Sequence, residues 1–174
     1  QLENPQSAIL EGFKRGKEMG AVTLLNPAPA DILKEDILEY TDWLLPNETE
    51  FAFLAEEAYD LPLDQFVLAI ETFANETNTN LVVTIGKKGA LLYRPHIDQE
   101  VQHIKTTKVT VKDSTGAGDA FCGTFAYGLS VGMDPKSAIE LANAIASDSV
   151  QKLGTQTSYA RGKELERIVA ENLK

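Results

Sequence analysis

The stretch Asp113-Ser114-Thr115-Gly116-Ala117-Gly118-Asp119 has the residue types and spacing for chemistry on an anion. Glycine lets a backbone approach a ligand without Cβ contacts. The first amides of a helix have no partner inside it and face outward at the positive end of its dipole. An anion fits there. Asp119 adds a carboxylate inside the first helical turn, beside the place a phosphoryl group would occupy. Such a carboxylate repels phosphate unless the group between them is a hydroxyl that must lose its proton as it attacks phosphorus. Alone, the turn has a plainer reading, an ordinary bend whose aspartate complements the helix dipole.

A strand, a tight turn and a helix start are needed to hold these residues. The β-prone Val109, Thr110 and Val111 come before them, and an apolar, helix-prone run at 120–131 comes after. Upstream, residues 7–19 read as a surface helix closed by Gly20, and 21–25 as a short buried strand broken by Asn26-Pro27-Ala28-Pro29. A short helix at 31–39 leads to a strand at 43–45. Pro46-Asn47-Glu48-Thr49-Glu50 then opens a helix at 51–58, and another spans 63–75. Polar groups gathered after a strand's carboxyl end sit where open α/β sheets place ligands, though acidic residues at a helix start are also plain capping.

Residues 81–85 are a continuous apolar strand of the kind buried on both faces. Gly86-Lys87-Lys88-Gly89 turns it back into 90–93, as an antiparallel hairpin, and short strands are expected at 101–104 and 109–111. After the helix that follows Asp119, Asp134-Pro135 signals a long Ala- and Ser-rich helix at 136–153, closed by Gly154-Thr155-Gln156-Thr157-Ser158. An amphipathic helix runs over 160–173. Alternating strands and helices imply an α/β fold with a mostly parallel sheet, here expected as one unit over 1–174. The opening Gln1-Leu2-Glu3 reads as the end of a strand that began earlier, so the chain is expected to be a fragment with an association-prone sheet edge.

The chain of 174 residues carries a net charge of -10, which argues against a nucleic-acid or anionic-membrane surface. Its one cysteine, Cys122, can make neither an internal disulfide nor a cysteine metal cage, and is expected to pack as a small apolar residue in a reducing compartment. His96 and His103 support neither a triad nor a zinc pair. No apolar run approaches the roughly 20 residues of a membrane span.

Taken together, Asn26-Pro27-Ala28-Pro29, Asn47-Glu48-Thr49-Glu50, Thr84-Ile85-Gly86-Lys87-Lys88-Gly89 and the 113–119 stretch resemble the ribokinase / phosphofructokinase-B-type sugar kinases, in order and over nearly the whole chain. The resemblance implies a three-layer α/β/α sandwich, of which this chain is the carboxy-terminal, nucleotide-binding part without the amino-terminal half and lid. It implies transfer of the γ-phosphoryl group of ATP to the O5 hydroxyl of D-ribose. The alternatives are another acceptor such as fructose or adenosine, or a non-catalytic nucleotide-binding fragment.

On that resemblance Asp119 is the base, and Gly116, Ala117 and Gly118 form the anion hole. Asn47 and Glu50 serve nucleotide phosphate and the water shell of Mg²⁺. Thr84, Ile85, Gly86, Lys87, Lys88 and Gly89 flank the adenosine, with Asn143 near the adenine. A monovalent cation, K⁺, is implied at Asp113, Thr115, Ser149, Lys152, Gly154 and Ser158, and sugar contact at Glu3. The plainer alternative for the cation set is that Asp113 caps the turn and Ser158 caps the last helix. The implied partners are ATP or ADP and a small sugar, with neither nucleic acid nor membrane. The intact protein is expected to be a homodimer in the cytoplasm, or the nucleus in a eukaryote.

Overall fold

A computed structural model describes residues 1–58 and 60–172, with Glu35 described in its backbone alone. The chain forms two compact units. One comprises Gln1–Ile85 with Leu91–His103, and the other Gly86–Ala90 with the chain from Ile104 onward.

The first unit is built on short parallel strands. β1 (Leu24–Leu25), β2 (Trp43–Leu44) and β3 (Asn80–Thr84) pair side by side, Leu24 against Trp43 and Leu44 against Leu81. β4 (Ala90–Tyr93) and β5 (Gln102–Ile104) complete the sheet in the order β1-β2-β3-β4-β5. α1 (Gln6–Glu18) precedes β1, and the crossovers that parallel neighbours need contain α2 (Glu35–Glu39) between β1 and β2, and α3 (Glu48–Leu54) and α4 (Leu63–Thr77) between β2 and β3. The mostly parallel α/β architecture expected from the sequence is therefore present. Leu81, Val82 and Val83 are fully buried, as a strand covered on both faces requires. Phe51 of α3 anchors this core, its ring edge-on to Phe66 at 5.3 Å and to Phe73 at 5.7 Å.

The strand expected at 21–25 is cut to its last two residues, those at 43–45 and 101–104 each lose one, and the strand end expected at the opening does not form. Residues 21–23 lie outside β1, and the Thr23 amide goes to a side chain instead: the Asp42 carboxylate accepts it at 2.8 Å while Lys17 donates to the same carboxylate. Leu2 and Glu3 form a turn rather than a strand end, with the Leu2 amide on the Ala28 carbonyl at 2.8 Å.

The second unit packs α5 (Ala117–Ser130) against α6 (Pro135–Ser149), followed by α7 (Lys163–Asn172). Asp134 caps α6 by accepting the Lys136 and Ser137 amides at 3.1 and 3.2 Å, with Pro135 at the first helical position. Gly128 of α5 lies against Ala138 of α6, so close that any Cβ at 128 would collide with it. Leu141, Ile145, Ala160 and Ile168 form the core between α6, α7 and the loop before α7. Helix α6 stops at Ser149, not 153, and residue 173 of the expected last helix lies outside the described residues.

The strand expected at 109–111 is absent, and the physical reason is on α6. The Lys112 and Asp113 amides both donate to the Val150 carbonyl, at 2.8 and 3.2 Å, satisfying an orphan acceptor at the helix end. Earlier in the segment Thr106 and Ser147 share a hydroxyl hydrogen bond at 2.8 Å. The segment is thus held to α6 on both sides of 109–111 rather than to a sheet neighbour, and Val111 is left exposed. No helix among the described residues is long and apolar enough to cross a membrane.

Candidate functional site

The turn into α5 is shaped by Gly116, its N-cap, at φ +81° and ψ 0°. Only glycine adopts that conformation readily, and here a Cβ would also lie 2.6 Å from the Tyr159 hydroxyl. The Gly116 carbonyl accepts the Ala120 amide at 2.9 Å, the first bond of the helix, and the Tyr159 hydroxyl at 3.2 Å. Ala117, Gly118 and Asp119 are then the first three helical residues, whose amides have no carbonyl one turn back within the helix. The Ala117 amide turns instead to the Ser114 carbonyl at a long 3.2 Å. Gly118 and Asp119 are solvent-exposed at the helix mouth. The one cysteine, Cys122, lies half-buried one turn further along α5.

Asp113 holds this turn to the far end of the unit. Its Oδ1 accepts the Thr115 amide at 2.9 Å and the Thr115 hydroxyl at 2.7 Å, and its Oδ2 accepts the Gly154 amide at 3.0 Å. Those bonds, the Thr115 hydroxyl first, hold its carboxyl below the usual carboxylate range. Asp113, Thr115 and Gly154 of the expected cation set are therefore joined directly. Ser149 and Ser158 are almost fully buried, donating to the Ala146 and Thr155 carbonyls at 2.8 and 2.6 Å. The Lys152 ammonium bridges Asp148 at 2.6 Å and Glu164 at 3.1 Å. Burial pulls its pKa down, but the two carboxylates outweigh that and leave it raised.

In the first unit, Asn47 and Glu50 form a reciprocal cap on α3. The Asn47 side chain accepts the Glu50 amide at 2.9 Å, and Glu50 Oε2 accepts the Asn47 amide at 2.8 Å. The plainer of the two sequence readings, capping, is thus realised in the structure. Asn47 also bridges to Thr84, and the Thr84 amide donates to the Pro46 carbonyl at 3.0 Å, so the α3 mouth sits at the carboxyl end of β3. That is the position where open parallel sheets present ligand-binding groups. Ile85, next to Thr84, is buried, and Glu3 lies exposed in the opening turn.

In the second unit, Gly86, Lys87 and Lys88 form one exposed 3₁₀ turn. Gly89, at φ +102°, follows against the backbone of residues 104–106, where a Cβ would strike the Ile104 carbonyl. Asn143 is buried on α6 and donates to that same Ile104 carbonyl at 3.3 Å. Its amide nitrogen thus serves the fold.

Sequence reading missed Tyr159. It lies 43 residues from the carbonyl it serves, and no local pattern marks it. Burial, and then the charge of Asp119, raise its pKa above the ordinary tyrosine value.

Salmonella typhi deoxyribokinase is 38% identical to this chain over 162 residues, covering 91% of the chain and 51% of that protein. Staphylococcus aureus ribokinase is 34% identical over 176 residues, covering 97% and 54%. The chain spans about half the length of the curated relatives it matches. Among solved structures, Arabidopsis thaliana ribokinase complexed with ribose and ATP superposes with a TM-score of 0.86 at 25% identity, over 95% of this chain and 53% of that one. The fold is ribokinase-like α/β. The family model for pfkB family carbohydrate kinases matches residues 1–161, so a glycine-mouthed helix carrying an exposed aspartate occurs here in a chain that belongs to the pfkB family of carbohydrate kinases.

Proposed function

We propose that the protein carrying this chain transfers the γ-phosphoryl group of ATP to the O5 hydroxyl of D-ribose. The observation that carries this reading is the exposed Asp119 at the mouth of α5, one residue after exposed Gly118, in a chain of this family. Asp119 orients the primary hydroxyl and takes its proton. In a loose transition state that proton leaves late, so a strong base is not required. The amides of the Gly116, Ala117, Gly118 turn face the charge spreading over the phosphoryl oxygens. For Ala117 this means exchanging the long bond to Ser114 for the incoming anion.

Asn47 and Glu50 hold nucleotide phosphate and the hydrated metal, which asks of them only the groups their mutual cap leaves over, such as Glu50 Oε1. Magnesium supplies neutralisation of the phosphate charge when bound. Among the described residues no three acidic, histidine or cysteine side chains cluster as a metal cage. Thr84, Ile85, Gly86, Lys87, Lys88 and Gly89, with Asn143, flank the adenosine, and Glu3 contributes to the sugar side. Asp113, Ser158 and the carbonyls of Thr115, Ser149, Lys152 and Gly154 offer the all-oxygen donor set that suits K⁺, with the Asp113 clasp already joining two of these loops.

A deoxyribose acceptor is the second reading, favoured by the 38% identity to a deoxyribokinase. The test is the full-length protein with ATP and a panel of D-ribose, 2-deoxy-D-ribose, fructose and adenosine. The expected result is the highest kcat/KM for D-ribose, with phosphate on O5. Asp119→Asn is expected to lower kcat by about 10²–10⁴-fold while ATP still binds. Near-normal turnover in that variant overturns the assignment. ADP binding without transfer to any acceptor replaces it with a nucleotide-binding module.

A further inference from the structure

The Gly116–Ala117 peptide is held from both sides. Its carbonyl accepts the Ala120 amide at 2.9 Å and the Tyr159 hydroxyl at 3.2 Å, while its amide rests on the Ser114 carbonyl at 3.2 Å. In a planar trans peptide the carbonyl and the N–H point in opposite directions, so fixing one aims the other. The bond from Tyr159 arrives from the loop before α7, outside the turn and outside α5. It ties the direction of this peptide to the loop before α7.

We propose that Tyr159 is a positioning residue for phosphoryl transfer: its hydroxyl, by holding the Gly116 carbonyl, aims the Ala117 amide toward the anion at the mouth of α5. The proposal rests on the function given above. Three features of the turn agree with it. Tyr159 is half-buried while its hydroxyl reaches the backbone. The hydroxyl lies 2.6 Å from where a Gly116 Cβ would stand, so glycine at 116 and tyrosine at 159 fit as a pair. The Gly116 carbonyl that the hydroxyl holds also accepts the Ala120 amide, so the bond sits at the start of the helix that carries Asp119. An anion replacing Ser114 as the acceptor of the Ala117 amide would find that amide already oriented, without the cost of reorganising it during the reaction.

The experiment is Tyr159→Phe in the full-length protein, which keeps the ring and removes the bond. The expected result is a kcat lower by about five- to tenfold, the size of one ordinary hydrogen bond expressed as a rate, with KM for ATP unchanged. Hydrogen exchange read in parallel should quicken at Ala117 and stay unchanged along Lys163–Asn172. Unchanged exchange at Ala117, or unchanged kcat in an active enzyme, overturns the proposal. Quickening that spreads through Lys163–Asn172 marks a folding defect and also counts against it. If the wild type transfers phosphate to no acceptor while Ala117 exchange still quickens, the proposed function falls and the clamp itself remains.

Discussion

The carboxylate of Asp113 accepts the backbone amide of Gly154 at 3.0 Å, 41 residues along the chain. Through its other oxygen it holds Thr115, so one side chain pins the turn before α5 to the loop after α6. A cation-dependent enzyme would feel a change in that loop at the turn into α5. We expect the full-length protein to turn over faster in KCl than in NaCl at equal ionic strength, and Asp113→Asn to erase the difference. Equal rates in the two salts would remove the monovalent cation from the mechanism.

Asn47 and Glu50 cap each other, so stability and ligand binding must be separated at these positions. Glu50→Gln keeps an oxygen acceptor for the Asn47 amide but loses the charge. Its unfolding midpoint should stay close to wild type while the Mg²⁺ concentration needed for half-maximal rate rises. Asn47→Ala removes the cap and should cost about 1 kcal/mol in urea unfolding. A Glu50→Gln enzyme with wild-type Mg²⁺ dependence would leave Glu50 a capping residue only.

Gly116→Ala places a Cβ at positive φ and 2.6 Å from the Tyr159 hydroxyl. We expect a loss of about 1–3 kcal/mol in thermal or urea unfolding, with phosphoryl transfer falling further than stability does. An alanine variant as stable and active as wild type would contradict the geometry of this turn.

Asp98 provides the pH prediction. Its side chain is 4% exposed, and Arg94 grips it through bonds of 2.9 Å from Nε and 2.7 Å from Nη2. The Arg94 hydrogen bonds lower its pKa below 3.8, against an opposing push from burial. A carboxylate with a depressed folded pKa contributes stability that is complete above its unfolded value and is lost as pH falls through the folded one. Unfolding midpoints followed from pH 6 downward should therefore drop below about pH 4 more steeply in wild type than in Asp98→Asn. At neutral pH the asparagine variant should be less stable by about 1–3 kcal/mol. Parallel pH profiles for the two proteins would refute the role given to this pair.

Where the governing interaction is local, the sequence alone was sufficient. Gly116 through Asp119 open a helix because glycine tolerates the turn and Asp119 suits the first turn, and Asp134-Pro135 begins α6 because both act within three residues. The Asn47-x-x-Glu50 cap and the buried strand at 80–84 follow from spacing and apolar content in the same way. Only the tertiary structure decided the rest. Val109, Thr110 and Val111 have strand propensity, yet no strand forms, because the adjoining Lys112 and Asp113 amides are taken by the end of α6. The Asp113 to Gly154 clasp and the Tyr159 to Gly116 bond each join residues more than forty positions apart. Such contacts depend on where packed helices bring loops together, and β-propensity or local spacing carries no record of that.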